Sequence, residues 1–152
     1  MIVFQGRHQQ VGQPTMDEAA VRHVLSYLEA RRTWELRTQI RFDQEVAAGR
    51  VGEVVREIQV EYEGLLGTFC TPRVVNRNAR AAFGSPPTVD PARTRFRGVR
   101  LSRGTAVVST HEENGFPGGQ DFEYVLRGSG TEWLIDDRRG RDYDDRWIRS
   151  VL

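Results

Sequence analysis

The stretch on which the fold turns is Asp121-Phe122-Glu123-Tyr124-Val125-Leu126-Arg127-Gly128-Ser129-Gly130-Thr131-Glu132-Trp133-Leu134-Ile135-Asp136-Asp137-Arg138. Phe122, Tyr124 and Leu126 alternate with more polar neighbours, the period of a strand with one dry and one wet face. Gly128-Ser129-Gly130 reverses the chain, and the return run Glu132–Arg138 places Trp133 and Ile135 on one face and Leu134 on the other. The reading is an antiparallel hairpin. Upstream, Arg95–Ser102 and the Val- and Thr-rich run Thr105–Glu112 flank an Arg103-Gly104 turn, a second hairpin. In its first strand Phe96 is out of phase with Val99 and Leu101, so a bulge at Gly98 is expected to restore an inward set of all three.

Further upstream the period changes from 2 to 3.6. Thr15-Met16-Asp17-Glu18 offers a capping box, followed by Val21, Val24, Leu25 and Leu28, then Leu36, Ile40 and Val46 up to Gly49. This predicts one long helix, or two with a bend near Arg31–Thr33. Val51, Val54, Val55, Ile58, Tyr62, Leu65 and Leu66 predict a second helix before Gly67. Residues 71–92 carry four of the six prolines and predict loops around a short strand or helix. Trp147, Ile148, Val151 and Leu152 are expected to dock the tail onto the body. Helices followed by antiparallel strands make an α+β class, with 1–14 as an N-terminal extension and 15–152 as one domain.

The chain has 152 residues, 38% of them hydrophobic and 28% charged, with 22 basic residues, all Arg, against 21 acidic. A formal net charge of +1 argues against a generic nucleic-acid binder. Cys70 is the only cysteine, so no intrachain disulfide forms, and a reducing cytoplasm is the expected compartment. No apolar run approaches the ~20 residues of a membrane span, so no membrane partner is expected.

Several strings taken together resemble a known family: Thr33-Trp34-Glu35, Phe69-Cys70-Thr71-Pro72-Arg73, Pro86-Pro87 with Asp90-Pro91, and Tyr124-Val125-Leu126 with Glu132-Trp133-Leu134-Ile135-Asp136-Asp137-Arg138-Arg139. They look like the immunity proteins of bacterial polymorphic toxin systems that have the nuclear transport factor 2-like fold. The resemblance covers residues 16–152. It implies a cone in which helices pack on a strongly curved antiparallel sheet. It also implies an antitoxin that occludes the toxic C-terminal domain of a secreted effector, often of the Rhs or type VI secretion kind. Proteins of this fold often pair through the sheet, which leaves a homodimer open.

The same fold class hosts small enzymes, so residues must decide between binding and catalysis. An isomerase- or hydrolase-like site in the cone cavity needs a carboxylate and a donor such as Tyr facing each other. Asp136 or Asp137 with Tyr124 or Tyr62 are the candidates, against a structural role in which the carboxylate ends a strand and pairs with Arg138 or Arg139. His8, His23 and His111 are too dispersed for metal-ligand spacing, and no cofactor motif is present. Cys70 lacks a nearby base and reads as a small buried hydrophobe. Trp34, Trp133 and Trp147 read as core. The expected function is therefore binding, with no catalytic residue, cofactor or metal.

Charge placement suggests where. Residues 71–110 hold 8 Arg against 1 acid and residues 111–152 hold 6 Arg against 10 acids. Such opposed patches either steer a partner or neutralise each other across adjacent strands. The steering reading assigns the toxin-binding face to Glu112, Glu113, Asp121, Asp142, Asp144 and Asp145, with Phe116 and Tyr143 as aromatic anchors. The basic middle (Arg73, Arg77, Arg80, Arg93, Arg95, Arg97, Arg100 and Arg103) is the nucleic-acid alternative, weakened because only Phe83 and Phe96 could stack on bases.

Overall fold

The first helix starts where its capping chemistry allows. Thr15 Oγ1 accepts the Glu18 N–H at 3.2 Å and Glu18 Oε2 accepts the Thr15 N–H at 3.3 Å, satisfying two donors that a helix start otherwise leaves orphaned. In the computed structural model, which describes residues 14–77, 80–150 and 152, this helix, α1, runs unbroken over Met16–Ala47. Its 32 residues span about 48 Å. Gly49, at φ +76°, ends it: the Arg50 N–H bonds Glu45 O and the Gly49 N–H bonds Val46 O, a Schellman stop that tolerates little but glycine. Helix α2 (Val51–Phe69) returns antiparallel, and in the proline-rich segment, where a short strand or helix is expected, a helix forms, α3 (Pro72–Arg77). The expected extension before Pro14, with His8, and the docking of Val151 fall outside the described residues.

A 3-10 turn at Pro91–Arg93 leads into β1 (Thr94–Ser102), followed by β2 (Thr105–Glu112), β3 (Gln120–Ser129), β4 (Glu132–Arg141) and β5 (Trp147–Arg149). These form one curved antiparallel sheet in the order β1-β2-β3-β4-β5. The inner faces of β2 and β3 follow the alternation in the sequence: Ala106, Val108, Phe122, Tyr124 and Leu126 are buried. Against them pack Val24, Tyr27 and Leu28 of α1 and Ile58, Tyr62 and Leu66 of α2. Each Val, Leu, Ile or Phe among them contributes roughly 1.5–3 kcal/mol on leaving water.

Two bulges shape the sheet. The expected one in β1 falls between Phe96 and Gly98, with Arg97 as the extra residue. It returns Val99 to the inside, but Leu101 beyond it is 41% exposed, because β1 is an edge strand that outruns the helices there. The second bulge is in β4, where Leu126 pairs with Ile135 but Val125 pairs with Asp137. Asp136 is the extra residue, and its insertion turns Arg138 to the same face as Trp133 and Ile135.

At the C-terminal end, β4 continues to Arg141 and β5 zips onto it. Leu152 docks and is buried. Trp147 and Ile148 do not: they are 40% and 51% exposed, because β5 is an edge strand that lies beyond the helical cover. Trp34 and Trp133 are core as expected.

Candidate functional site

The meander order brings three segments to one end of the sheet: residues 85–93 before β1, the β2–β3 loop at 113–119 and the β4–β5 turn at 142–146. The rings of Phe116 and Tyr143 meet here, stacked at 4.0 Å between centroids and 21° between planes. Asp142 holds the β4–β5 turn, its Oδ1 accepting the Asp144 N–H at 3.0 Å and the Arg146 N–H at 2.8 Å. Asp145 takes the left-handed φ of 64°, a conformation short acidic residues tolerate.

Most of the acidic residues predicted to form the binding face are neutralised locally. Asp121 accepts the His111 Nδ1–H at 2.7 Å and lies 3.3 Å from Arg97 and 3.9 Å from Arg141. Asp142 and Asp144 pair with Arg146, and Asp145 with Arg141. Glu113, Tyr143, Asp144 and Asp145 are exposed, and Phe116 and Asp142 partly so.

Glu112 is the clear correction. It occupies an inward position of β2 and is buried, since Thr110 and Glu112 continue the phase of Ala106 and Val108. Its Oε2 accepts the Thr110 Oγ1–H at 2.9 Å and the Tyr124 O–H at 3.1 Å, while Arg138 Nη2 lies 3.3 Å from Oε1. Arg138 also donates from Nε to Tyr124 Oη at 3.1 Å and from Nη1 to Ser150 Oγ at 3.1 Å, and its guanidinium lies 3.8 Å over the Phe122 ring. Burial pushes the Tyr124 phenol well above its ordinary range; the Arg138 charge only partly offsets this and Glu112 adds to it. Tyr124 therefore stays a neutral donor at physiological pH.

So the inward carboxylate that faces a tyrosine is Glu112, not Asp136 or Asp137. Its outer end borders a cleft of about 630 Å³ between Arg32 of α1, the segment Pro86–Asp90 after a cis Ser85–Pro86 peptide, Arg93, and Glu113–Gly115. Thr88 seals the inner wall, donating its N–H at 3.0 Å and its hydroxyl at 2.9 Å to the buried Glu35. Tyr62 is spoken for as well: its hydroxyl donates to the Leu152 main-chain oxygen at 2.7 Å, beside Arg31 Nη1 at 2.8 Å.

Asp136 does not pair with Arg138 or Arg139 as its sequence neighbours suggest, because the bulge turns it the other way. It accepts from Thr71 Oγ1 at 2.8 Å, from Arg127 Nε at 2.9 Å and from Arg73, while Arg77 bonds its main-chain oxygen. Burial alone would raise its pKa, but the hydrogen bonds from Arg127 and Thr71 and the charge of Arg73 outweigh it and hold the carboxyl below its ordinary range. Asp137 pairs with Arg149 at 3.5 Å.

Local neutralisation thus accounts for part of the basic middle, with Arg97 on Asp121 and Arg100 on Glu123 across the sheet and Arg73 of α3 on Asp136. Phe83 packs on Trp34 and Phe42, and Phe96 against the core, so neither is a base-stacking platform. His23 Nε2–H donates to the Phe69 carbonyl at 2.8 Å. Burial pushes the Cys70 thiol up to about 12, the Arg31 charge opposing this weakly. Among the described residues no three His, Cys, Asp or Glu side chains are placed to hold a metal ion, and no helix is long and apolar enough to cross a membrane.

The pair that sequence reading missed is Glu112 with Arg138. The signal available was phase: Glu112 closes the alternation of β2, and Asp136-Asp137 offered one residue too many for β4 to keep a strict period of 2. The chain matches no protein family, no curated protein and no solved structure.

Proposed function

We propose that the chain is an immunity protein of the nuclear transport factor 2-like kind, which binds the toxic C-terminal domain of a cognate secreted bacterial effector in the cytoplasm of the producing cell and neutralises it by occlusion. The observation that carries this reading is the Phe116–Tyr143 stack. Two aromatic rings from loops distant in sequence stand together at the rim of the sheet, the kind of anchor that protein interfaces bury. Binding is favoured over turnover by the state of the inward carboxylate: Glu112 already accepts from Thr110, Tyr124 and Arg138, where an isomerase-like base would face its substrate with an oxygen unengaged.

The test is to look beside the coding sequence for a toxin gene with a variable C-terminal domain and to co-express that domain with this chain, scored by growth; absence of such a gene counts against the reading. The wild type restores growth, and Phe116→Ala with Tyr143→Ala abolishes rescue while leaving the urea midpoint unchanged. Failure of the wild type to protect refutes the function; full protection by the double variant refutes the rim as the anchor.

A second reading, small-molecule binding or turnover, draws on the cleft beside Glu112. It requires that a small ligand raise the melting temperature of the wild type and not of Glu113→Ala with Arg93→Ala.

A further inference from the structure

The outer face of the sheet, away from the helices, has a layered charge structure. Asp121 and Glu123 of β3 and Asp136 and Asp137 of β4 lie low, and arginines lie over them, those of β1 reaching across β2 and the others coming from the adjoining strand: Arg97 and Arg141 on Asp121, Arg100 and Arg139 on Glu123, Arg127 on Asp136 and Arg149 on Asp137. The side chains of these arginines are 39–69% exposed while those of the carboxylates are 5–29% exposed. What solvent meets is therefore guanidinium, each held by a carboxylate that uses only part of its five-donor fork.

We propose that this face is a docking surface for an acidic protein surface, recognised by carboxylate–guanidinium pairing. The rotamer freedom that an exposed arginine normally gives up on binding is already restricted by the carboxylate beneath it, which lowers the entropic cost of association. The register sets Arg139 of β4 directly opposite Arg149 of β5, while the arginines of β1 stand two strand spacings, about 9.6 Å, from β3, with Val107 of β2 and Val125 of β3 on the same face between the rows. A field of guanidiniums and aliphatic side chains suits a folded partner carrying Asp and Glu.

Two observations set a protein above a nucleic acid here. Among the described residues Trp147 is the large aromatic that meets these arginines, and Arg141 covers its ring at 5.5 Å, so there is no row of rings for bases. The opposite layer is acidic, since α2 carries Glu53, Glu57, Glu61 and Glu63 against Arg56 alone, and it would repel a polyanion long enough to wrap the protein. A second copy is disfavoured for the face itself, since like charge meets like.

The inference stands apart from the antitoxin reading and is tested without a toxin. The probe is fluorescein-labelled poly-L-glutamate of about ten residues, too short to reach round to the helices at about 3.4 Å per residue, titrated with the full chain at 20 mM and 150 mM salt and followed by anisotropy, with a labelled 20-base-pair DNA duplex in parallel. The wild type binds poly-L-glutamate more tightly than the duplex, and binding weakens at the higher salt. Arg97→Ala with Arg127→Ala and Arg149→Ala weakens it about tenfold. These three leave each carboxylate another bond: His111 and Arg141 for Asp121, Thr71 and Arg73 for Asp136, and the Arg138 main-chain N–H for Asp137. An equally charged control on the helices, Arg22→Ala with Arg37→Ala and Arg56→Ala, changes binding less than twofold. Should the triple variant lose its near-native circular dichroism, Arg149→Ala alone is read instead, with a twofold loss expected. Absence of poly-L-glutamate binding at 20 mM salt, tighter binding of the duplex, or equal losses in the two triple variants overturns the proposal.

Discussion

Replacing Arg138 by Met tests the account of the buried charge cluster most directly. The methionine keeps much of the aliphatic volume against Phe122 but removes the cation. Arg138 donates to Tyr124 Oη, Ser150 Oγ and Glu112 Oε1 at 3.1, 3.1 and 3.3 Å, so the variant strands a buried carboxylate that keeps two neutral donors, Thr110 and Tyr124. Breaking a buried ion pair from one side costs about 3–5 kcal/mol, chiefly the desolvation of the charge left behind. With a urea slope of about 2 kcal/mol per molar, the midpoint should fall by roughly 2 M. Adding Glu112→Gln to the methionine variant removes the stranded charge and keeps the hydrogen-bonding shape, and should restore about half the loss. The assay is urea unfolding followed by far-ultraviolet circular dichroism and by tryptophan fluorescence, to check that the two transitions coincide. A midpoint within about 0.3 M of wild type for Arg138→Met, the order of magnitude expected of surface changes, refutes the claim that the cluster is desolvated. So does a double variant no more stable than the single one.

Three further outcomes follow from the same contacts. Asp136 has its carboxyl pKa held below the ordinary range in the folded state, so its contribution is fully present above the unfolded-state value of about 4 and is lost as the pH falls through the folded one; an acid titration of Asp136→Asn should therefore be flatter than that of wild type below about pH 4, and the variant less stable by about 2 kcal/mol at pH 7. Cys70, its thiol pushed up to about 12 by burial, should react with Ellman's reagent at pH 8 only as the protein opens, about a hundredfold more slowly than in 8 M urea, and prompt labelling of the native state would contradict its placement. Gly128 has no room for a side chain, since a Cβ there would overlap the Glu132 carbonyl oxygen, and Gly128→Ala should lower stability by about 2 kcal/mol or more, read from the urea midpoint.

The elements are legible where one local rule acts alone. The Thr15 capping box, the Gly49 stop and the alternation of Phe122, Tyr124 and Leu126 each state a local geometry that tertiary packing has no reason to overrule. Leu101, Trp147 and Ile148 escape such rules because hydrophobicity reports what a side chain prefers; whether another layer covers that position depends on where the helices end, which no local pattern encodes. The acidic face is legible in composition and misleading in consequence. A count along the chain adds charges that strand pairing then cancels, as with Asp121 between Arg97 and Arg141. Glu112 shows the other limit. Its cation, Arg138, turns inward only because Asp136 is bulged out of the β3–β4 ladder, and a bulge is a property of the pairing and not of either strand alone.

The order β1-β2-β3-β4-β5 also governs how the molecule is assembled in time. Every strand pairs with its neighbour in sequence, so each hairpin closes a short loop, and hairpins of this kind form in about 1–10 μs. The helical pair is equally local. What remains is to join the halves, and the polar contacts that do so reach far: Glu35 to Thr88 over 53 residues, Tyr62 to Leu152 over 90 and Arg31 to Leu152 over 121. Loop entropy is spent before those contacts reward it. The docking of the two halves is then the expected slow step, and Arg31, which bonds Ala82 and Leu152 from α1, is the position at which a substitution should report on it: Arg31→Met slowing folding more than it speeds unfolding would place these bonds in the transition state, and the reverse would place them after it.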